Sequence, residues 1–263
     1  MGTCDAVEFS KNRAKVKVTM FKDIDQLKAQ LDHLRPLDLK VVKSLQDDLI
    51  LRWTYHSNAI EGNTLTLLET KVILENGITV GGKSLREHFE AINHREAIFY
   101  IKEIAQKNEP FSQWQIRNIH QLILKNIDDA NAGCYRTVNV EISGASHSPP
   151  DYGLLIDKMA ELVDWYHSKA NTLHPIERAA KVHADFVAIH PFIDGNGRTS
   201  RLLMNLELMK AGYLPCILTV ESRLQYYEAL DAWAAKNETQ PFIQLVAKAE
   251  RDAFKQYQRI LGF

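Results

Sequence analysis

The sequence predicts an all-helical fold interrupted by one short hairpin, and three features support it. Apolar residues recur at spacings of three and four along most of the 263 residues, as in Leu39, Val42, Leu45, Leu49 and Trp53, the period of a helix with one buried face. Start and stop signals punctuate these runs, among them a Thr66 to Glu69 capping-box spacing and the pairs Gly62-Asn63 and Asn76-Gly77. A single stretch, Ala132 to Pro150, leaves the helical period for β-branched residues around a Ser143-Gly144 turn.

Residues 1–20 mix charges with β-branched residues in a KVKV run and leave a short strand and a loose terminus both open. From about Leu37 to Ile60 the apolar stripe predicts a helix, and the capping box at Thr66 starts another that stops at Asn76-Gly77. Residues 78–107 contain a third helical pattern, with Phe89, Ile92, Ile98, Phe99, Ile101 and Ile104 as core candidates. His88 and His94 are six apart, an awkward spacing for two ligands on one helix face, and are read as surface or hydrogen-bonded histidines. Ser112 is the expected N-cap of the next helix, whose buried side is assigned to Trp114, Ile116, Ile119, Leu122 and Ile123.

After the predicted hairpin, Tyr152 to His167 reads as a helix with Leu154, Leu155, Met159 and Leu162 inward. Pro175 suits the first turn of the following one, whose stripe runs through Ile176, Ala179, Ala180, His183, Phe186 and Val187 to His190. His183 is expected to be a buried, hydrogen-bonded histidine. Leu202 to Met209 is apolar nearly all round and predicts a central helix closed by Gly212. Two more helices flank the NETQPF break near the end of the chain.

Composition narrows the function. With 45% apolar residues and a formal net charge of -1, the chain can bury a full core, and no basic excess argues for nucleic acid. Cys4, Cys134 and Cys216 are isolated, so neither a disulfide framework nor a CxxC metal pair is present and a reducing compartment is expected. The first thirty residues lack an apolar core of signal-peptide length and no run approaches a membrane span. A soluble, cytoplasmic chain with no membrane partner is the expectation.

The chemistry concentrates in HPFIDGNGRTSR, His190 to Arg201. Gly195 and Gly197 permit backbone conformations closed to other residues and leave no side chain between the main chain and a ligand. The helix that follows points unpaired N–H groups and the positive end of its dipole at the same spot, which suits phosphate. Asn196 offers a side-chain donor. Arg198 and Arg201, three apart, share a face from which their guanidinium forks can hold phosphate oxygens, and Asn205 continues that face. Asp194 could hold Mg²⁺ through one carboxylate oxygen, and His190 could serve as a general base toward an attacking hydroxyl. A His before a Pro, or a GNG turn, is by itself usually structural; their combination is far more specific.

This stretch resembles the signature HPFxxGNGRxxR of the Fic family, which typically transfers AMP from ATP to a protein hydroxyl, and every specified position matches. Ser57 to Asn63 resembles the family's inhibitory motif [S/T]xxxE[G/N], ahead of the catalytic motif as in the class with an N-terminal inhibitory helix. The resemblance implies that Ser57 and Glu61 belong to a brake in which Glu61 pairs with Arg201, the arginine that would otherwise bind the γ-phosphate. It also implies that the segment after Gly133, Tyr135 and Arg136 is a flap, with Thr137, Val138, Asn139, Val140, Glu141 and Ile142 along a target-binding edge. One of Tyr226 and Tyr227, with Tyr227 preferred, becomes a wall for the adenine. The implied architecture is a Fic-type helical bundle with a small β-hairpin flap. A segment 1–44 would precede the Fic domain, 45–245, which holds the inhibitory helix (about 45–62), the flap (about 136–148) and the catalytic loop (190–201); a C-terminal helix, 246–263, would follow. ATP and Mg²⁺ are the implied cofactors, and the partner is a protein bearing a Ser, Thr or Tyr hydroxyl. Removal of AMP by a water that Glu61 positions, a nucleotide-binding helical module without turnover, and a homodimeric assembly all stay open.

Overall fold

The computed structural model describes residues 21–263, and the readings made for residues 1–20 and for Cys4 lie outside them. Among the described residues there are ten α-helices, three short 3₁₀ turns and no strand. None of these helices is long and apolar enough to cross a membrane.

The first helix, α1 (Lys22–His33), was not anticipated from a terminus that reads as polar. Phe21, Ile24 and Leu31 are nonetheless buried, and this stripe packs against the last helix, α10 (Gln240–Leu261). Next comes α2 (Leu39–Ile60), capped by Asp38, whose side chain accepts from the N–H groups of Lys40 and Val41. It begins before the 45–62 assigned to an inhibitory helix, although its buried stripe starts only at Leu45. The capping box at Thr66 and Glu69 forms as expected and starts α3 (Leu67–Asn76), which Gly77 ends in the left-handed region. A second capping box, Ser84 with Glu87, starts α4 (Leu85–Lys107), and Ser112 caps α5 (Gln113–Leu124).

The remaining helices are α6 (Leu155–Lys169), α7 (Pro175–Ile189), α8 (Asn196–Lys210), α9 (Arg223–Lys236) and α10. Pro175 occupies the first turn of α7, where its missing N–H costs nothing. No break falls between residues 245 and 246, since α10 crosses them.

Helix α8 is the axis of the molecule, buried at every position from Arg198 to Leu208. One side meets a cluster that includes Ile60, Ile176, Met204, Leu208, Trp233 and Phe242. The other meets Trp53, Ile98, Ile119, Phe186, Leu203 and Leu206. Each such aliphatic or aromatic side chain contributes roughly 1.5–3 kcal/mol by leaving water, so the start of α8 and the loop before it are held by two cores at once. Phe99, Trp114 and Leu154, expected inside, are exposed. Phe99 and Trp114 lie off the buried stripes 94-97-98-101 and 116-119-120-123, and Leu154 precedes α6 on a 3₁₀ turn.

The expected hairpin over 136–148 is corrected. The chain turns at Ser143-Gly144, but its arms do not pair as strands. β-branched residues favour a strand only where a neighbour packs on them, and Pro149 and Pro150 remove two donors from the returning arm. Side chains take the place of a ladder. Arg136 donates to the carbonyls of Val138 (2.8 Å) and Pro150 (2.6 Å), Asn139 donates to Asp151 (2.8 Å), and Ser148 donates to Glu141 (3.1 Å).

Candidate active site

The loop between α7 and α8 carries the site, and its shape follows from how each end is fixed. His190 closes α7 with φ +50°, a left-handed conformation rare outside glycine. Backbone geometry as well as packing therefore sets where its ring points. Gly195, at φ +78°, opens α8, and a Cβ there would meet the His120 ring at 3.2 Å and Ile123 at 3.3 Å. Both positions show why the sequence must turn so sharply between two core helices.

His120, on α5, is the post of this loop. Its Nδ1 accepts the Gly133 N–H (2.9 Å), which leaves Nε2 to donate to the Asp194 carbonyl (2.8 Å), and its ring stacks on Phe192 at 3.5 Å. Burial pushes its pKa down to about 4, so the ring is neutral. Asn196 completes the fixation: its Oδ1 accepts from Phe192 N (3.0 Å) and its Nδ2 donates to Phe192 O (2.8 Å). The side-chain donor expected for a phosphate is thus spent inside the loop, and the main-chain N–H groups of Asn196, Gly197 and Arg198 are left without intrahelical acceptors. Asn205 likewise faces away from any ligand, exchanging two hydrogen bonds of 2.9 Å with the backbone of Cys216.

Arg198 and Arg201 are both 2% exposed, one turn apart, yet differently occupied. Arg198 donates to Asp194 Oδ1 (3.1 Å) and lies 3.2 Å from Glu90 Oε1, but its Nε and Nη1 make no hydrogen bond. Arg201 is fully engaged. Its Nε donates to Ser57 Oγ (3.0 Å), Nη1 to Tyr226 OH (3.3 Å), and Nη2 to Ser57 O and Glu61 Oε1 (both 2.7 Å). Burial alone would depress the Arg201 pKa, and Glu61 and Tyr226 together outweigh this to raise it.

Glu61 caps the C-terminus of α2 and leans over the glycine turn. A Cβ on Gly197 would fall 2.2 Å from Glu61 Oε1 and 3.2 Å from Arg201 Nη1. A carboxylate therefore rests against the open N-terminus of α8, where backbone donors and the helix dipole favour an anion.

Beside it lies a cleft of about 550 Å³, a volume ordinary for a small-molecule site, whose walls include Glu61, Ile142, His190, Gly197, Tyr226 and Tyr227. Burial lowers the His190 pKa, helped by Arg136 and opposed by the Val187 carbonyl, Glu61 and Asp194, so at neutral pH the imidazole is unprotonated. Tyr227 is partly exposed, with its OH 3.1 Å from the Ile60 carbonyl and the Arg223 guanidinium over its ring. Tyr226 is buried and bonds Arg201 and His183. His183 is, as expected, a buried histidine with hydrogen bonds to Ser200 (3.0 Å) and Tyr226 (3.2 Å). His88 accepts from Val80 N (2.8 Å).

Of the six residues expected along the flap edge, only Ile142 lines the cleft. Thr137, Val138, Asn139 and Glu141 are exposed and Val140 is half-buried. The flap is tied to the loop by Arg136, whose Nε donates to the His190 carbonyl and whose N–H donates to the Pro191 carbonyl (both 2.9 Å). Sequence reasoning gave Arg136 no role of its own and did not single out His120. The signal for His120 was its place on the buried stripe of α5, whose other members are apolar apart from Gln115.

The donor set suits a particular kind of metal site. Among the described residues no group of three or more His, Cys, Asp or Glu side chains could hold an ion alone. Asp194 is the single carboxylate beside the glycine turn on the loop itself, 40% exposed, which fits an Mg²⁺ ion shared with a polyphosphate.

Known proteins share this fold. The family model described as "Fic/DOC family" matches residues 110–208. The chain is similar to "Protein adenylyltransferase fic-1" of Caenorhabditis elegans, 35% identical over 241 residues covering 90% of this chain and 46% of that protein. It is also similar to "Protein adenylyltransferase Fic" of Nematostella vectensis, 39% identical over 240 residues, 90% of this chain and 55% of the other. The chain thus spans about half the length of these curated relatives. Among solved structures, a Fic domain containing signaling protein from Bacteroides thetaiotaomicron superposes with a TM-score of 0.85 at 30% identity, covering 91% of this chain and 97% of that one. Residues 134–508 of Fic-1 from C. elegans give a TM-score of 0.84 at 33% identity, covering 98% of this chain and 77% of that one.

Proposed function

The chain belongs to the Fic/DOC family, and from that premise we propose that it transfers AMP from ATP to a Ser, Thr or Tyr hydroxyl of a target protein, itself included among the candidates, under the restraint of Glu61. The observation that supports this best is the carboxylate of Glu61, seated against Gly197 and paired with Arg201. An anion already occupies the place where a nucleotide phosphate would meet the helix N-terminus.

In the proposed reaction the α- and β-phosphates lie over the Gly195 to Gly197 turn. The free main-chain donors of α8 hold them, and Arg198, whose Nε makes no hydrogen bond and whose Nη1 faces only the Glu90 carboxylate, meets the β-phosphate. Arg201 would take the γ-phosphate once Glu61 has left. Neutral His190 accepts the proton of the target hydroxyl as its oxygen bonds to the α-phosphorus. The bond to the bridging oxygen breaks in line, and pyrophosphate departs. Asp194 would hold Mg²⁺, which when bound offsets phosphate charge. Tyr227 walls the nucleoside end of the cleft, and the segment from Thr137 to Ile142, exposed over Thr137 to Asn139 and at Glu141, meets the target as an added strand. Recognition of that kind depends little on target side chains. A cytoplasmic location remains part of this proposal.

The brake needs only modest energy. If the Glu61–Arg201 pair favours the closed arrangement by roughly 2–3 kcal/mol, productive nucleotide binding falls about 30- to 150-fold.

The test incubates wild type, Glu61→Gly and Glu61→Gly/His190→Ala with Mg²⁺, ATP labelled on the α-phosphate, and lysate of the source cell. Label should reach protein in the single variant and drop by at least about 10²-fold when His190 is also lost. Undiminished transfer without His190 would sink the assignment. A second reading is supported by Glu61 and His190 lining one cleft: Glu61 positions a water that removes AMP. Under that reading Glu61→Gly eliminates turnover of a modified target instead of raising it.

A further inference from the structure

Asp194 is not idle in the closed site. Its Oδ1 accepts the Gly195 N–H (2.5 Å) and Arg198 Nη2 (3.1 Å), while its Oδ2 accepts a charge-assisted hydrogen bond from Nη2 of Arg86, in the first turn of α4. The oxygen that the loop leaves free is the one Arg86 takes. Arg86 is itself anchored to Glu90, Nε to Oε1 at 3.2 Å. The other oxygen of Glu90 accepts from Asn63 Nδ2 (2.8 Å), two residues beyond Glu61, and Oε1 is also 3.2 Å from Arg198 Nη1. One carboxylate thus joins the end of the Glu61 segment, Arg198 and the cation resting on Asp194.

We propose that Arg86 is a positioning residue that stands in for the divalent cation on Asp194, so that an arriving ion must displace it. This rests on the proposed role of Asp194 as the metal ligand. The physical reason is charge and space: a guanidinium at hydrogen-bond distance and a divalent ion at about 2.1 Å cannot share one carboxylate oxygen without strong repulsion. Arg86 keeps Asp194 neutralised while the site is empty of nucleotide and, with its side chain 54% exposed, has room to swing away. Arg86 and Glu61 are then two counter-charges in the same closed state: the arginine stands where the metal goes, and the glutamate stands where the phosphate goes. Through Asn63 and Glu90 the two lie on connected contacts.

The test measures ion binding directly, with Mn²⁺ as the probe. In the Glu61→Gly background with a non-hydrolysable ATP analogue, Mn²⁺ is titrated and the free ion followed by electron paramagnetic resonance. Arg86→Gln should lower the half-saturating Mn²⁺ concentration by about twofold to fivefold, the range of a partly exposed ion pair. Arg86→Lys, which keeps the charge, should fall between Gln and the parent, and Asp194→Asn should remove the site. An unchanged or higher midpoint in Arg86→Gln overturns the proposal. A second titration omits nucleotide and follows paramagnetic broadening of the Asp194 and Gly195 amide signals. Broadening at lower Mn²⁺ in Arg86→Gln supports the displacement, and equal broadening refutes it. Absence of analogue binding in every variant would count instead against the adenylyltransfer reading, and the nucleotide-free titration would still decide the role of Arg86.

Discussion

The two flanks of the catalytic loop are held by opposite kinds of contact. On the α5 flank, His120 is buried, neutral and bonded on both nitrogens to backbone, and it stacks on Phe192. On the α2 flank, Arg201 is buried and charged, and Glu61, the carboxylate that engages it, is still 32% exposed. A buried neutral group with satisfied partners has no low-cost alternative, so the α5 flank fixes geometry. A carboxylate that keeps contact with water can leave its partner whenever another anion takes its place. The loop is thus rigid on the side that shapes it and releasable on the side that would regulate it.

The largest expected effect breaks the fixed flank. Unfolded, His120 titrates near 6.5 and folded near 4, so between these values the unfolded chain binds the extra proton. Stability is complete above pH 6.5 and falls as pH drops toward 4, by about 3 kcal/mol from this group. His94 and His183, also held well below 6.5 by burial, act in the same direction. Denaturant midpoints measured across this window should decline, and His120→Gln should flatten the decline. An unaltered slope would remove His120 from its place as the post.

Next in size is the releasable flank. Glu61→Gly should tighten binding of a non-hydrolysable ATP analogue by about 30- to 150-fold in calorimetry, and the gain should vanish in Glu61→Gly/Arg201→Ala. Equal tightening in both would mean that Arg201 is not the group being freed. Gly197→Ala sharpens the contrast, because its methyl would overlap Glu61 Oε1. The pair should be disrupted, yet analogue affinity should not rise above wild type, since the methyl occupies the same anion position. The smallest effect is assigned to Ser57→Ala, which removes one of four hydrogen bonds from Arg201. A gain of about fivefold in analogue affinity is expected, and loss of affinity would show that Ser57 holds Arg201 ready instead of holding it back.

For proton transfer, His190 is held below the ordinary histidine range by burial. Adenylyl transfer by the Glu61→Gly variant should stay level through neutral pH and fall only below about 6.5, as the imidazole acquires its proton. A fall beginning above pH 7 would contradict a buried, neutral base.

Much of this was legible because it depends on spacing along one chain segment. Twelve consecutive residues, 190–201, carry the turn, the histidine and both arginines, and helical periodicity placed them between two core helices. The α2 segment was legible only through the family resemblance of its short motif, since a Ser, Glu and Gly at that spacing mean little alone. What escaped depends on distant pairs. Arg136 lies 54 residues from the carbonyl it holds, His120 lies 74 from Asp194, and Arg86 lies 108 from the same residue. Nothing local distinguishes such residues from surface charges or core histidines. The hairpin failed for a related reason: β-branched residues report a preference, and whether a partner strand exists is a tertiary fact. Helix α1 was missed although Ile24, Leu27 and Leu31 recur at helical spacing, because a polar average obscured a narrow stripe.

The position of Glu61 has an evolutionary side. It stands at the C-cap of α2, immediately before Gly62 at φ +97°, a site where a helix tolerates glycine readily. A change from a glutamate codon to a glycine codon requires one base. Under the proposed restraint one point mutation would release it, at the cost of leaving the buried Arg201 without its counter-charge. The same carboxylate thus serves the fold, as the counter-charge of a buried arginine, and the proposed restraint.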